Sequence, residues 1–138
     1  MAKIVTWITK LHSAKPSEIK YVERAFSDIP EGSLMLVPNP QTVDTYVRTI
    51  PEGKSASLKT MRTDLAAAHS ADNTDPVSAP SALHIVAEAA YLQYTEGTPV
   101  EEIAPFWRII DSRSPIFKRL SFGSEFLLEM RKKEGLSV

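Results

Sequence analysis

The stretch Pro105-Phe106-Trp107-Arg108-Ile109-Ile110 joins aromatic and β-branched residues in the manner of a half-buried strand. Ser112 to Pro115 turns the chain, and Ile116-Phe117 reads as a short returning strand. Together they predict a small β-hairpin. Whether this hairpin exists decides whether the C-terminal part is a bare helical cluster or a helix pair carrying a β wing.

Working outward, Ser124 is the expected N-cap of a last helix, and Gly135 closes that helix at the C′ position. Upstream, Pro99 and Pro105 bracket a short helical turn. Pro80 opens a strong helix in which Leu83, Val86, Ala87, Ala90 and Tyr94 share a face. The turn-rich loop from Ala71 to Ala79 precedes it. Before that loop, Ser57 caps a helix with Leu58, Met61, Leu65 and Ala68 on its apolar side. Two helices joined by a turn and followed by a wing form a common plan of nucleic-acid-binding modules.

The N-terminal part reads differently. Ile4, Trp7, Ile8 and Leu11 predict a short amphipathic helix over Lys3 to Leu11, and His12 to Lys20 is a polar stretch. Ser33 to Val37 predicts a strand after the turn at Pro30-Glu31-Gly32. Asn39-Pro40 starts a helix whose stripe is Val43, Tyr46, Val47 and Ile50, and Pro51 stops it. The tetrapeptide Ile-Pro-Glu-Gly occurs at Ile29 and again at Ile50, which predicts two similar turns rather than a repeat. The expected fold is α+β and mostly helical. A winged-helix-like domain spans 49–138, and an N-terminal extension, 1–48, packs on it.

With 43% apolar and 24% charged residues, the composition is that of a globular protein. Cysteine is absent, which excludes disulfides, thiolate catalysis and thiolate-ligated zinc. His12, His69 and His84 fall in separate elements without ligand spacing, so no metal and no cofactor is expected. No apolar run approaches a membrane span or a signal h-region, and the expected location is the cytoplasm. The net charge of −1 argues against a bulk electrostatic coat for nucleic acid, although basic residues outnumber acidic ones by three from Pro105 onward. No Ser-His-Asp spacing, glycine-rich phosphate loop or paired carboxylates mark an enzyme.

Four motifs taken in order resemble one family. They are Ile50-Pro51-Glu52-Gly53, His84-Ile85-Val86-Ala87-Glu88-Ala89, Pro105-Phe106-Trp107-Arg108-Ile109, and the terminal helix from Leu127-Leu128 to Glu134-Gly135-Leu136. Over about residues 50 to 136 the chain resembles the DNA-binding domain of the alkylguanine-DNA alkyltransferases, and most of all their cysteine-less relatives, the alkyltransferase-like proteins. That family carries Pro-Cys-His-Arg-Val where this chain has Pro105 to Ile109. The resemblance places the family's reactive cysteine at Phe106, its proton-relaying histidine at Trp107 and the partner glutamate at Glu134. The arginine that the family inserts into the duplex falls at His84, and the tyrosine that helps turn the target nucleotide falls at Leu58.

What the resemblance implies is a non-catalytic protein that binds double-stranded DNA and senses damaged, alkylated bases. The expected duplex contacts are Ser57, Lys59, His84, Arg108, Arg113 and Lys118. Phe106, Trp107 and Glu134 are the expected lesion pocket, with the rings as a stacking surface. Read without the resemblance, the two aromatics are core, His84 is a satisfied histidine at the core edge, and Glu134 is a last-turn acid. Arg108 then belongs to an ion pair. The alternative function is a protein-interaction or structural module that keeps the fold and takes a protein partner instead of DNA. With Phe106 at the reactive position, incubation with alkylated oligonucleotide should leave the protein's mass unchanged. A stable gain equal to the transferred alkyl group would contradict the assignment.

Overall fold

A computed structural model describes residues 6–13 and 15–137. The expected helix start from Lys3 to Val5 lies outside the described residues. The fold is α+β and mostly helical: α1 (Trp7–Ser13), β1 (Glu18–Tyr21), β2 (Leu34–Val37), α2 (Pro40–Val47), α3 (Leu58–Ala68), β3 (Asn73–Thr74), α4 (Ser78–Thr95) and α5 (Glu125–Lys133). Short 3₁₀ turns sit at Val100–Glu102, Phe106–Arg108 and Phe117–Arg119. No helix among the described residues is long and apolar enough to cross a membrane.

The helix signals act as the side-chain chemistry requires. The Asn39 side chain accepts from Thr42 N at 2.8 Å with Pro40 at the first helical position, and the Ser57 hydroxyl accepts from Thr60 N at 3.0 Å. Pro80 falls within the first turn of α4, where its missing N–H has no helical partner to lose. Ser124 occupies the cap position of α5 without a side-chain cap bond. At the far end Gly135, at φ +74°, lets Leu136 N reach Arg131 O at 2.8 Å and Gly135 N reach Lys132 O at 3.1 Å. This is the paired C-terminal closure that needs a left-handed residue.

α4 is the hub. Ala79, Ala82, Leu83, Val86, Ala87, Glu88, Ala89 and Ala90 are all buried, so the helix is covered on several sides, and its alanines let neighbours approach closely. One continuous core joins Leu11, Leu36, Val43 and Val47 to Met61, Leu83, Phe106, Ile110 and Leu127. Residues 6–47 therefore contribute α1, α2 and, through Leu36, β2 to the same core as the rest, while Val22, Ile29 and Met35 form a smaller cluster beside it. The sheet ties the halves together: β1 pairs antiparallel with β2, and β2 pairs parallel with β3.

Both Ile-Pro-Glu-Gly segments are turns, as the sequence predicts. Ser33 N bonds Pro30 O at 3.4 Å and Lys54 N bonds Pro51 O at 3.1 Å, with Gly32 at φ +82° and Gly53 at φ +80°. In the first, Gly32 N donates to Val22 O while Val22 N donates to Ser33 O, a glycine bulge that ends the β1–β2 ladder.

Two strand expectations are corrected. The polar stretch His12 to Lys20 contains the start of β1, which is exposed along its whole length and so lacks the alternation that marks a half-buried strand. The predicted hairpin does not form: neither 106–110 nor 116–117 is a strand, and 3₁₀ turns occupy Phe106–Arg108 and Phe117–Arg119 instead. The N–H groups there bond locally, Arg108 N to Pro105 O and both Ile109 N and Ile110 N to Phe106 O, while Arg108 O accepts from Ala56 N at 2.9 Å. Arg131, one of the C-terminal basic residues, is buried at 1% exposure and donates to the carbonyls of Trp107 (2.6 Å), Ile110 and Ser137. Groups that a strand would offer to a neighbour are thus taken by α5, and the β-prone side chains go inward.

Candidate functional site

The three motifs that are farthest apart in sequence meet at one carboxylate. Glu134, at the C-terminal cap of α5, is 5% exposed at its side chain. It accepts from the Trp107 indole Nε1 (2.6 Å), from Arg108 Nε and Nη2 (2.9 and 3.1 Å) and from the Gly53 backbone N–H (2.9 Å). Arg108 spends its remaining fork on Ile50 O at 2.8 Å. Burial alone would raise the Glu134 carboxyl, but the bonds from Arg108, Gly53 and Trp107 outweigh it and hold the group below the ordinary carboxylate value. Glu134 is thus not a solvated last-turn acid, although it borders a cleft together with Trp107 and Arg108. Arg108 is a structural cation rather than a free phosphate contact.

Of the expected lesion pocket, the aromatic pair is packed shut, while Trp107 and Glu134 border a cleft at its outer edge. Phe106 has no exposed surface and Trp107 only 2%. Phe106 packs edge-on against Trp107 and Phe122, at 5.4 and 5.7 Å between ring centres, and against Phe126 at 6.0 Å. Tyr91 stacks on Phe122 at 4.0 Å. The rings are already satisfied by one another, so neither face is open to an extruded base. A cleft of about 420 Å³ reaches the edge of Trp107 from outside, lined also by Arg108, Glu134, Arg48, Glu52, Glu101 and Met130. It touches the rim of the network without opening the aromatic cluster.

His84 is corrected as well. Its Nε2 lies 2.9 Å from Glu88 Oε2 and 3.1 Å from Arg119 O, and the Trp7 ring of α1 covers it at 5.2 Å between centres. Two acceptors around one nitrogen require that Nε2 carry the hydrogen. Glu88, 2% exposed, also accepts from Ser121 N (2.7 Å) and Ser121 Oγ (2.5 Å). This polar knot fixes the 117–121 segment to α4 and leaves His84 no path to a groove. The sequence gives no signal for it, because Glu88 reads as an ordinary solvated helix acid.

Ser57, Lys59 and Arg113 come together. They line a second cleft, of about 600 Å³, with Ser55, Leu58, Thr60, Ile109, Ser114 and Pro115. The N-terminus of α3, capped by Ser57, borders it, so the positive end of the helix dipole faces the same space as two cations. Asp111 tempers the field: it accepts from Arg113 N at 2.9 Å and from its guanidinium at 3.3 Å. Lys118 is exposed on the following turn. Arg62 on α3, by contrast, is committed to Asp28 at 2.8 Å and to Thr74 O.

No protein-family model, no curated protein and no solved structure matches the chain.

Replacing Glu134 by Gln removes the charge but keeps the shape, setting amide hydrogens against the Arg108 donors. The expected cost is roughly 2–4 kcal/mol, read from urea unfolding midpoints. The pH dependence has a definite sign. A depressed carboxyl contributes stability fully above its unfolded pKa of about 4.3 and loses it as the pH falls through the folded value. Glu134→Gln should therefore flatten the acid limb of the stability curve, and an unchanged limb would contradict the network's role.

Proposed function

We propose that this chain is a non-catalytic, alkyltransferase-like DNA-binding protein whose duplex-facing surface is the cleft at the N-terminus of α3. The observation that carries the reading is the Glu134 network. The segments that produce the resemblance, at 50–53, 105–109 and 134–136, are far apart in the chain yet share one set of hydrogen bonds.

In this reading α3 and α4 act as the helix pair of a winged-helix-like module. The irregular segment 111–120, bearing Arg113 and Lys118, stands where a β wing would be. Lys59, Arg113 and Lys118 contact phosphates, and the backbone N–H groups at the start of α3 take a further phosphate oxygen. A damaged base that the protein senses would enter between Leu58, Ile109 and Pro115 rather than between Phe106 and Trp107. The protein-interaction reading is favoured by a different feature, the apolar exposed edge at β1.

Phosphate contact separates the two readings through salt. Duplex affinity should fall steeply between ~50 and ~200 mM salt, and joint replacement of Lys59 and Arg113 by Ala should flatten the log–log slope by up to about two units. His84→Gln, which keeps a donor toward Glu88, should leave affinity unchanged. Affinity indifferent to salt, or its loss in His84→Gln with the fold intact, would overturn the proposal.

A further inference from the structure

β1 is an edge strand, paired on one side with β2 and on the other with nothing among the described residues. Its four residues, Glu18-Ile19-Lys20-Tyr21, are all exposed. Ile19 keeps 45% of its surface accessible and Tyr21 64%, and Leu34 beside Tyr21 keeps 43%. Cross-strand partners point to the same face, and Tyr21 opposes Leu34 while Ile19 opposes Leu36. Ile19, Tyr21 and Leu34 therefore make one apolar strip at the open margin of the sheet. Uncovered edges of this kind are templates for another strand.

The direction of the free hydrogen-bonding groups follows from the bulge. Val22 exchanges its bonds inward, with Ser33 and Gly32. Antiparallel ladders alternate, so Lys20 and Glu18 also face β2, while Ile19 and Tyr21 turn N–H and C=O outward. An antiparallel partner that is a second copy of the same strand must bring outward residues against outward residues. Of the four registers with the twofold axis on a β1 residue, the one at Tyr21 carries the partner past Val22, where the bulge ends the strand, which leaves the axis at residue 18, 19 or 20. The first sets Glu18 against Glu18 and the last sets Lys20 against Lys20, and like charges directly opposite are destabilising. Centring on Ile19 sets Glu18 against Lys20 of the other copy, twice, with Ile19 against Ile19. Within one chain these same two groups already lie 3.4 Å apart and are well exposed, free to exchange partners across the axis.

We propose that two copies of this chain associate edge to edge through β1, antiparallel about Ile19, to form one continuous sheet. The twofold axis brings the two apolar strips side by side on one face, covering Ile19 and the flank of Tyr21. This goes beyond the DNA-binding reading and does not depend on it, since the cleft at α3 and the β1 edge share no residue.

Sedimentation of the full chain from ~10 µM to ~1 mM covers the range of a small interface. The expected result is a reversible dimer. Glu18→Lys makes both facing pairs Lys–Lys, Lys20→Glu makes them Glu–Glu, and each should weaken the dimer by about tenfold or more. Mixing the two variants pairs every Lys with a Glu and should restore association as a heterodimer. Ile19→Pro deletes an outward N–H without touching the bonds to β2, so it should abolish pairing while the melting curve stays close to that of the parent. A chain that stays monomeric throughout, or a dimer that none of these changes weakens, would overturn the proposal.

Discussion

A carboxylate taken out of water must be given donors, and the burial of Glu134 imposes that demand on three separated parts of the chain. Gly53 brings the turn that precedes α3, Trp107 and Arg108 bring the 3₁₀ turn after Pro105, and Glu134 brings the end of α5. Arg108 extends the network to Ile50 O, so the 50–53 turn is held at both its ends. The start of α3 is therefore located by the same bonds that locate the turn leading to Arg113. The cleft between them inherits its shape from Glu134, although the carboxylate does not line it.

Where the resembled family carries a nucleophile and its proton relay, this chain has two packed aromatic residues. Phe106 seals the centre of an aromatic cluster, and Trp107 gives its indole N–H to Glu134 as a fixed structural donor. The surface of α4 that a groove-entering side chain would use is likewise occupied, because α1 lays Trp7 over His84 while Glu88 and Arg119 hold its ring. In the proposed reading, the surface offered to a large anionic partner is the beginning of α3 with the basic residues beside it, and it would read phosphates more than bases.

Legibility in the sequence followed the reach of each interaction. Caps and turns are local chemistry, so Asn39, Ser57, Gly135 and both Ile-Pro-Glu-Gly turns were readable from a few residues each. The 3₁₀ turn at Phe106 was not, because its strand-like composition is overridden by Arg131, a buried cation whose partners are backbone carbonyls on another element. β1 was hidden for the opposite reason: with no buried face, it has no hydrophobic period to detect. In the candidate site, the grouping of Ser57, Lys59 and Arg113 was legible through the resemblance. The burial of His84 and of the aromatic pair depended on tertiary neighbours, Trp7 and Phe122 among them, that no spacing rule connects to them.

The proposed duplex contact lies at the start of α3 and beside Arg113. Amide hydrogen exchange with and without a short duplex, at low salt, reports this residue by residue. Slowed exchange confined to 55–60 and 111–118, with α4 unchanged, is the predicted footprint. Protection centred on α4 around His84, or no protection anywhere at saturating duplex, would contradict it.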